Sequence, residues 1–229
     1  MREPAVPLAV VHQAPGVPRP SATLMLLHGY GVYEDHLLAF AQHLDPQDLA
    51  PCLRISAVRA PHRIGPGAYR WFDYTIDADG TVSINADEAR IAFEALLDVL
   101  ARERTETGLV FLLGHSQGGT MALSVLLARP DLLAGCAVLG ARFPSEMVGG
   151  AAPDDRVRRV PVYVAHGRHD PRIPIAKAVA TRERLARIGC PLGGRDYDVG
   201  HDVTPVMMAD AGRWLGQRLA AATVATEEG

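Results

Sequence analysis

Cysteine is scarce in this chain, with Cys52, Cys136 and Cys190 the only three among 229 residues. An odd number without framework spacing argues against a disulfide scaffold and predicts reduced thiols and a cytoplasmic location. No apolar run approaches the 18 residues that a membrane-spanning helix needs. The first residues, with prolines at positions 4 and 7, hold no long apolar stretch of the export type. Positive charge is not in excess: the net charge is −3, and the densest basic cluster is Arg156, Arg158 and Arg159 around a valine. A nucleic-acid backbone would therefore find no basic field to meet. Metal-site spacing is absent too. His166, His169 and Asp170 lie within five residues, yet no His-Glu-x-x-His or paired-cysteine pattern accompanies them, so no metal or other cofactor is expected.

What the chain does contain is apolar substance, 48% of its residues, enough for one substantial core and short for two. Buried-strand runs are expected near 9–12, 23–27, 53–58, 109–113, 134–139, 160–165 and 195–199, alternating with helices. One helix should start at an Asn85 cap and run to about Arg104, with Ile91, Ala95, Leu96 and Val99 facing inward. Others are expected near 120–128, 175–188 and 206–221. Such alternation predicts an α/β fold: one domain over 1–229, its core at about 8–221, with a mainly parallel sheet of about seven strands covered on both faces and a polar tail at 226–229. The connections at 60–81 and 141–159 are too short for a separate cap domain.

The sharpest local signal is Gly114-His115-Ser116-Gln117-Gly118, set between the apolar run 109–113 and the helix-compatible stretch 120–128. A serine hydroxyl is a poor nucleophile until the backbone lifts it clear and a base takes its proton, and a strained strand-to-helix turn does the lifting. Glycines two residues either side of Ser116 leave room where strand and helix approach. His115 is expected to face away from the serine. Beyond the strand at 160–165 comes His166-Gly167-Arg168-His169-Asp170-Pro171, which places Asp170 past a strand's C-terminal end. Gly200-His201 follows the next strand. His201 as base, held in its tautomer by Asp170, completes the order serine, acid, histidine. The loop His28-Gly29-Tyr30-Gly31 after the run 23–27 offers the Tyr30 N–H, beside that of Gln117, as donors to an oxyanion.

Taken together, Leu27-His28-Gly29-Tyr30-Gly31, Arg59-Ala60-Pro61, Arg70-Trp71-Phe72-Asp73, the Gly-rich turn around Ser116, His166-Gly167 with Asp170, and Gly200-His201 resemble the phospholipase/carboxylesterase family. That family includes bacterial carboxylesterases and acyl-protein thioesterases, and the likeness runs from about Ser21 to about Leu215. It implies the α/β-hydrolase fold, the triad Ser116, Asp170 and His201, and the oxyanion donors Tyr30 and Gln117. Two positions depart from the usual pattern: His115 stands where many members have phenylalanine, and Tyr30 where many have leucine.

The resemblance implies hydrolysis of carboxylic esters through an acyl-enzyme, and with no extended apolar channel identifiable in the sequence, esters of short to medium acyl chain are expected. The alternatives are a thioesterase or lysophospholipase using the same triad, and a small-molecule-binding homologue that has lost the chemistry. Trp71, Phe72, Phe143, Met147 and Ile173 are the candidate substrate contacts, and for Trp71 a structural plug over the sheet edge is an equal reading. The expected partner is a small ester met by a monomer or homodimer at an open, shallow site.

Overall fold

The computed structural model describes residues 8–13, 20–44, 53–146 and 152–227. In chain order it forms β1 (Val10–His12), β2 (Ala22–Leu27), α1 (Asp35–Ala41), β3 (Leu53–Val58), β4 (His62–Gly65), β5 (Ala68–Arg70), β6 (Tyr74–Ile76) and β7 (Val82–Ile84). There follow α2 (Ala86–Thr107), β8 (Leu109–His115), α3 (Gln117–Ala128), β9 (Gly135–Leu139), α4 (Asp154–Val157), β10 (Val162–Gly167), α5 (Ile175–Ile188), β11 (Leu192–Tyr197) and α6 (Pro205–Glu227).

Seven strands make one sheet in the order β1-β3-β2-β8-β9-β10-β11, parallel except for β1, which runs antiparallel to β3. β2, β9 and β10 are buried at every residue, as strands covered on both faces must be, which is why they read as unbroken apolar runs. One apolar cluster packs α2, α3 and part of α5 against one face; α1 and α6 close the other with Leu37, Met207, Met208 and Leu215. This is the α/β-hydrolase architecture.

The Asn85 cap is present, its side chain accepting the Glu88 N–H at 3.1 Å. The inward stripe of α2 is Ala92, Ala95, Leu96, Val99 and Leu100, and Ile91 is only half-buried. Three features differ from the sequence expectation. The last strand starts at Leu192 rather than Arg195 because its register follows β10, with Val162 opposite Leu192 and Gly167 opposite Tyr197. The segment 60–81 is not plain loop: β4 pairs with β5, and β6 with β7 through a turn in which Gly80 adopts φ 81°. The last helix continues to Glu227, so that of the polar tail only 228–229 lie outside the described residues. Met147 and Cys52 also lie outside them.

Candidate active site

Because β2, β8, β10 and β11 are mutually parallel, the loops leaving them gather at one edge of the sheet. These are the loops that carry His28 to Gly31, Ser116, Asp170 and His201. Ser116 occupies the bend between β8 and α3 at φ 54°, the one positive φ among the described residues other than glycine. Such a backbone is strained, and it persists because the surroundings hold it. The Ser116 N–H donates to the Leu139 carbonyl at 2.9 Å. A Cβ on Gly118 would run into the Leu27 and His28 carbonyls, so only glycine lets α3 approach β2 this closely.

Ser116 Oγ lies 2.8 Å from His201 Nε2, and His201 Nδ1 lies 2.6 Å from Asp170 Oδ2. A carboxylate only accepts, so Nδ1 carries the proton and Nε2 accepts the serine O–H. Asp170 is itself pinned: its Oδ1 accepts the Arg172 and Ile173 N–H groups at 2.8 Å each. Burial alone would raise its pKa, but those two N–H groups and His201 outweigh it and hold the carboxyl below its usual range. The Asp170 and His201 loops meet so closely that a Cβ at Gly167 would collide with the Gly200 carbonyl, a contact only glycine allows.

The two histidines of the acid loop have other employment. His166 is buried, its Nε2 donating to the Ile173 carbonyl at 2.7 Å and lying 3.4 Å from Asp170. His169 is exposed and bonds Asp198. Among the described residues no group of three or more His, Cys, Asp and Glu side chains is arranged to hold a metal ion.

A cavity of about 960 Å³ opens in front of Ser116. Phe72 and Ile173 line it, with Tyr74, Ile76 and Val82 from the β6–β7 hairpin adding apolar surface and Arg142, Arg172 and Lys177 positive charge. The site is therefore walled rather than shallow. Trp71 is placed elsewhere: it is fully buried beneath the early loop, its indole N–H donating to the His28 carbonyl at 2.9 Å. Phe143 packs under the Arg184 guanidinium, 4.5 Å from ring centroid to carbon, outside the cavity lining. Both are structural neighbours of the site and not walls of it.

Gln117 clips the wall to the turn at Ser116, its Oε1 accepting the Trp71 N–H at 2.8 Å and its Nε2 donating to the Phe72 carbonyl at 2.7 Å. Among the described residues no backbone carbonyl accepts the N–H of Tyr30 or Gln117, and both residues line the cavity. The Tyr30 ring meets Tyr74 edge-on at 5.5 Å, joining the early loop to the hairpin.

His115 does not point away from the site. Its ring is 5.0 Å from that of His201, stacked at 6.3 Å on His36, and neither of its nitrogens has a partner. Burial pushes its pKa down to about 3, with the neighbouring His201 and His36 adding to the effect, so it is neutral. His36, on α1, was not legible as a site residue, since nothing in its local sequence links it to a serine 80 positions on. The hairpin was legible in principle: Tyr74-Thr75-Ile76 and Val82-Ser83-Ile84 alternate about an Asp79-Gly80 turn.

A serine hydroxyl bonded to an imidazole that is oriented by a carboxylate, with unpaired backbone N–H groups close by, can support nucleophilic acyl transfer. Comparison with known proteins agrees on the class. The pattern of the phospholipase/carboxylesterase family matches residues 10–218. A rice (Oryza sativa subsp. japonica) protein named a probable inactive carboxylesterase is 27% identical over 150 residues, 63% of this chain and 61% of that one. The chain thus spans about three-fifths of that curated relative. Among solved structures, esterase PE8 superposes with a TM-score of 0.75 at 25% identity, covering 93% of this chain and 99% of the other. The Bacillus cereus carboxylesterase gives 0.73 at 21%, covering 92% and 94%.

Proposed function

The chain belongs to the phospholipase/carboxylesterase family, and from that membership we propose that it is a serine hydrolase cleaving carboxylic esters of short to medium acyl chain. The observation that carries the reading is the unbroken hydrogen-bonded chain from Asp170 through His201 to Ser116. In the proposed reaction His201 Nε2 takes the Ser116 proton as Oγ attacks the ester carbonyl, and Asp170 stabilises the imidazolium that forms. The Tyr30 and Gln117 N–H groups receive the developing oxyanion. The imidazolium then protonates the departing alkoxide, leaving an acyl-Ser116. Water deprotonated by His201 attacks that ester, and the serine recovers its proton as the acid departs.

Acyl size is inferred from the wall: Phe72, Ile76, Val82 and Ile173 offer apolar surface to a chain, and the cavity has room for one of moderate length. On this reading the residues from about 8 to 221 work as one catalytic domain, and no cofactor enters. Among the described residues no helix is long and apolar enough to cross a membrane.

The test is hydrolysis of p-nitrophenyl acetate, butyrate and octanoate by the wild type and by Ser116→Ala, with intact mass after a fluorophosphonate probe. Turnover with a single adduct, both absent in the variant, is the expected result. A folded wild type that neither turns over nor takes the probe would place the protein with its relative named inactive.

A further inference from the structure

His28 is 1% exposed and lies at the end of β2, one residue before the peptide unit that joins Gly29 to Tyr30. Its Nε2 accepts the Ala60 N–H at 3.0 Å, which leaves the ring proton on Nδ1. Nδ1–H donates in turn to the Gly29 carbonyl oxygen at 2.7 Å. That oxygen and the Tyr30 N–H belong to one planar trans peptide, so they point in opposite directions and turn only together. Holding the oxygen on the imidazole therefore aims the N–H away from it. The next peptide is fixed as well, by the Gly31 N–H donating to the Tyr69 carbonyl at 2.8 Å. The opening faces Ser116: Gly29 and Tyr30 line the cavity with it, and a Cβ on Gly29 would come within 3.4 Å of Ser116 Cβ.

From this geometry we infer that His28 is a positioning residue, a neutral imidazole strut between Ala60 and Gly29 that sets the direction of the Tyr30 N–H as oxyanion donor. The inference rests on the hydrolase reading above and adds a role that the order serine, acid, histidine does not contain. Trp71 braces the strut from below, its indole N–H on the His28 carbonyl and its ring centroid 5.7 Å from the imidazole. Burial pushes the His28 pKa down to about 4, so the Nδ1–H tautomer persists through neutral pH.

Two amide variants separate the two ends of the strut. His28→Asn sets an amide nitrogen near the place of Nδ1, where it can still hold the Gly29 oxygen. His28→Gln sets its amide near the place of Nε2, where it can still take the Ala60 N–H but leaves the Gly29 oxygen without its donor. The expected result is that His28→Gln loses roughly ten- to a hundredfold in kcat, with KM within about twofold of the wild type. It should lose a similar factor in affinity for a trifluoromethyl ketone, which forms an oxyanion on the serine. His28→Asn should stay within about threefold in both. In the wild type, the imidazole nitrogen shifts of His28 at pH 7 should show the proton on Nδ1. A proton on Nε2 overturns the assignment, whatever the variants do. So does a His28→Gln enzyme with undiminished kcat and ketone affinity, or equal losses in both variants that track KM and thermal stability. An active, labelled wild type with any of these outcomes sinks only the strut; an inert and unlabelled wild type sinks the hydrolase reading beneath it.

Discussion

At Ser116 and His115, adjacent residues are handled in opposite ways. Ser116 is strained at φ 54°, and its side chain is satisfied by His201. His115 is buried with both ring nitrogens unpaired. A buried polar group left without a partner costs about 1–3 kcal/mol. His115→Phe keeps the ring volume and removes that term, so the variant should be more stable at pH 7 by about 1–2 kcal/mol, read as a rise in urea midpoint at constant slope. An unchanged or lower midpoint would mean that a bound water already satisfies the imidazole. Asp170 behaves differently because its hydrogen bonds outweigh its burial. Asp170→Asn should leave the fold intact yet lower kcat by several orders of magnitude, since an amide can donate to His201 and select the wrong tautomer. A kcat within tenfold of the wild type would count against the orientation role.

The β6–β7 hairpin supplies apolar lining to the cavity, and it is held at its root by few groups. Glu88, on the first turn of α2, takes the Arg70 guanidinium at 2.8 and 3.1 Å and the Asp73 N–H at 2.7 Å, and Gln117 grips the residues between. The Arg70 pKa is raised, first by Glu88. Glu88→Ala should therefore loosen the wall without touching the triad. KM for an octanoyl ester is expected to rise several-fold while probe labelling of Ser116 proceeds at its normal rate; a coincident loss of labelling would show that the hairpin also supports the nucleophile turn. At the same helix end, Asn85→Ala should reduce stability by about 1 kcal/mol through loss of the cap, measurable as a small shift in urea midpoint.

These elements also show what could be read from the chain alone. β8, β9 and β10 were legible because strands buried on both faces must be apolar throughout, and the turn at Ser116 because close packing there excludes side chains at Gly114 and Gly118. The start of β11 was not, because Leu192-Gly193-Gly194 has little strand character of its own and is extended by pairing with β10. Trp71 read equally as a cleft aromatic or as a structural plug, and the sequence could not choose; which way an aromatic faces depends on the path of a segment clipped by Gln117 from 46 residues away. His28 offered no more than its place in a glycine-rich turn, since the Ala60 partner that fixes its tautomer arrives from the segment after β3.

For the whole molecule, neutral buried imidazoles govern the response to acid. In the unfolded chain His28 and His115 titrate near the ordinary 6.5; folded, burial lowers them to about 4 and about 3. Above pH 6.5 both states leave them neutral and the stability is fully present. As pH falls below that value the unfolded chain binds protons that the folded one refuses, and stability drops by about 1.4 kcal/mol per pH unit for each group until the folded values are reached. Burial lowers His36 in the same direction. Asp170, depressed from the carboxylate range, adds its own loss only at lower pH, below about 4. Urea midpoints taken between pH 7 and pH 5 should accordingly fall by an amount worth a few kcal/mol, and a flat profile across that interval would contradict the neutral burial of these rings.

The rim of the cavity carries one further consequence. Lys177 is the single lysine of the 229 residues, all other side-chain cations that do not titrate near neutrality being arginine, and it stands exposed on the first turn of α5 at the mouth of the cavity. Amine-directed chemistry thus has one side-chain target among the 229 residues, and that target lines the same cavity as Ser116: a fluorophore or surface tether attached there would report on what enters and leaves.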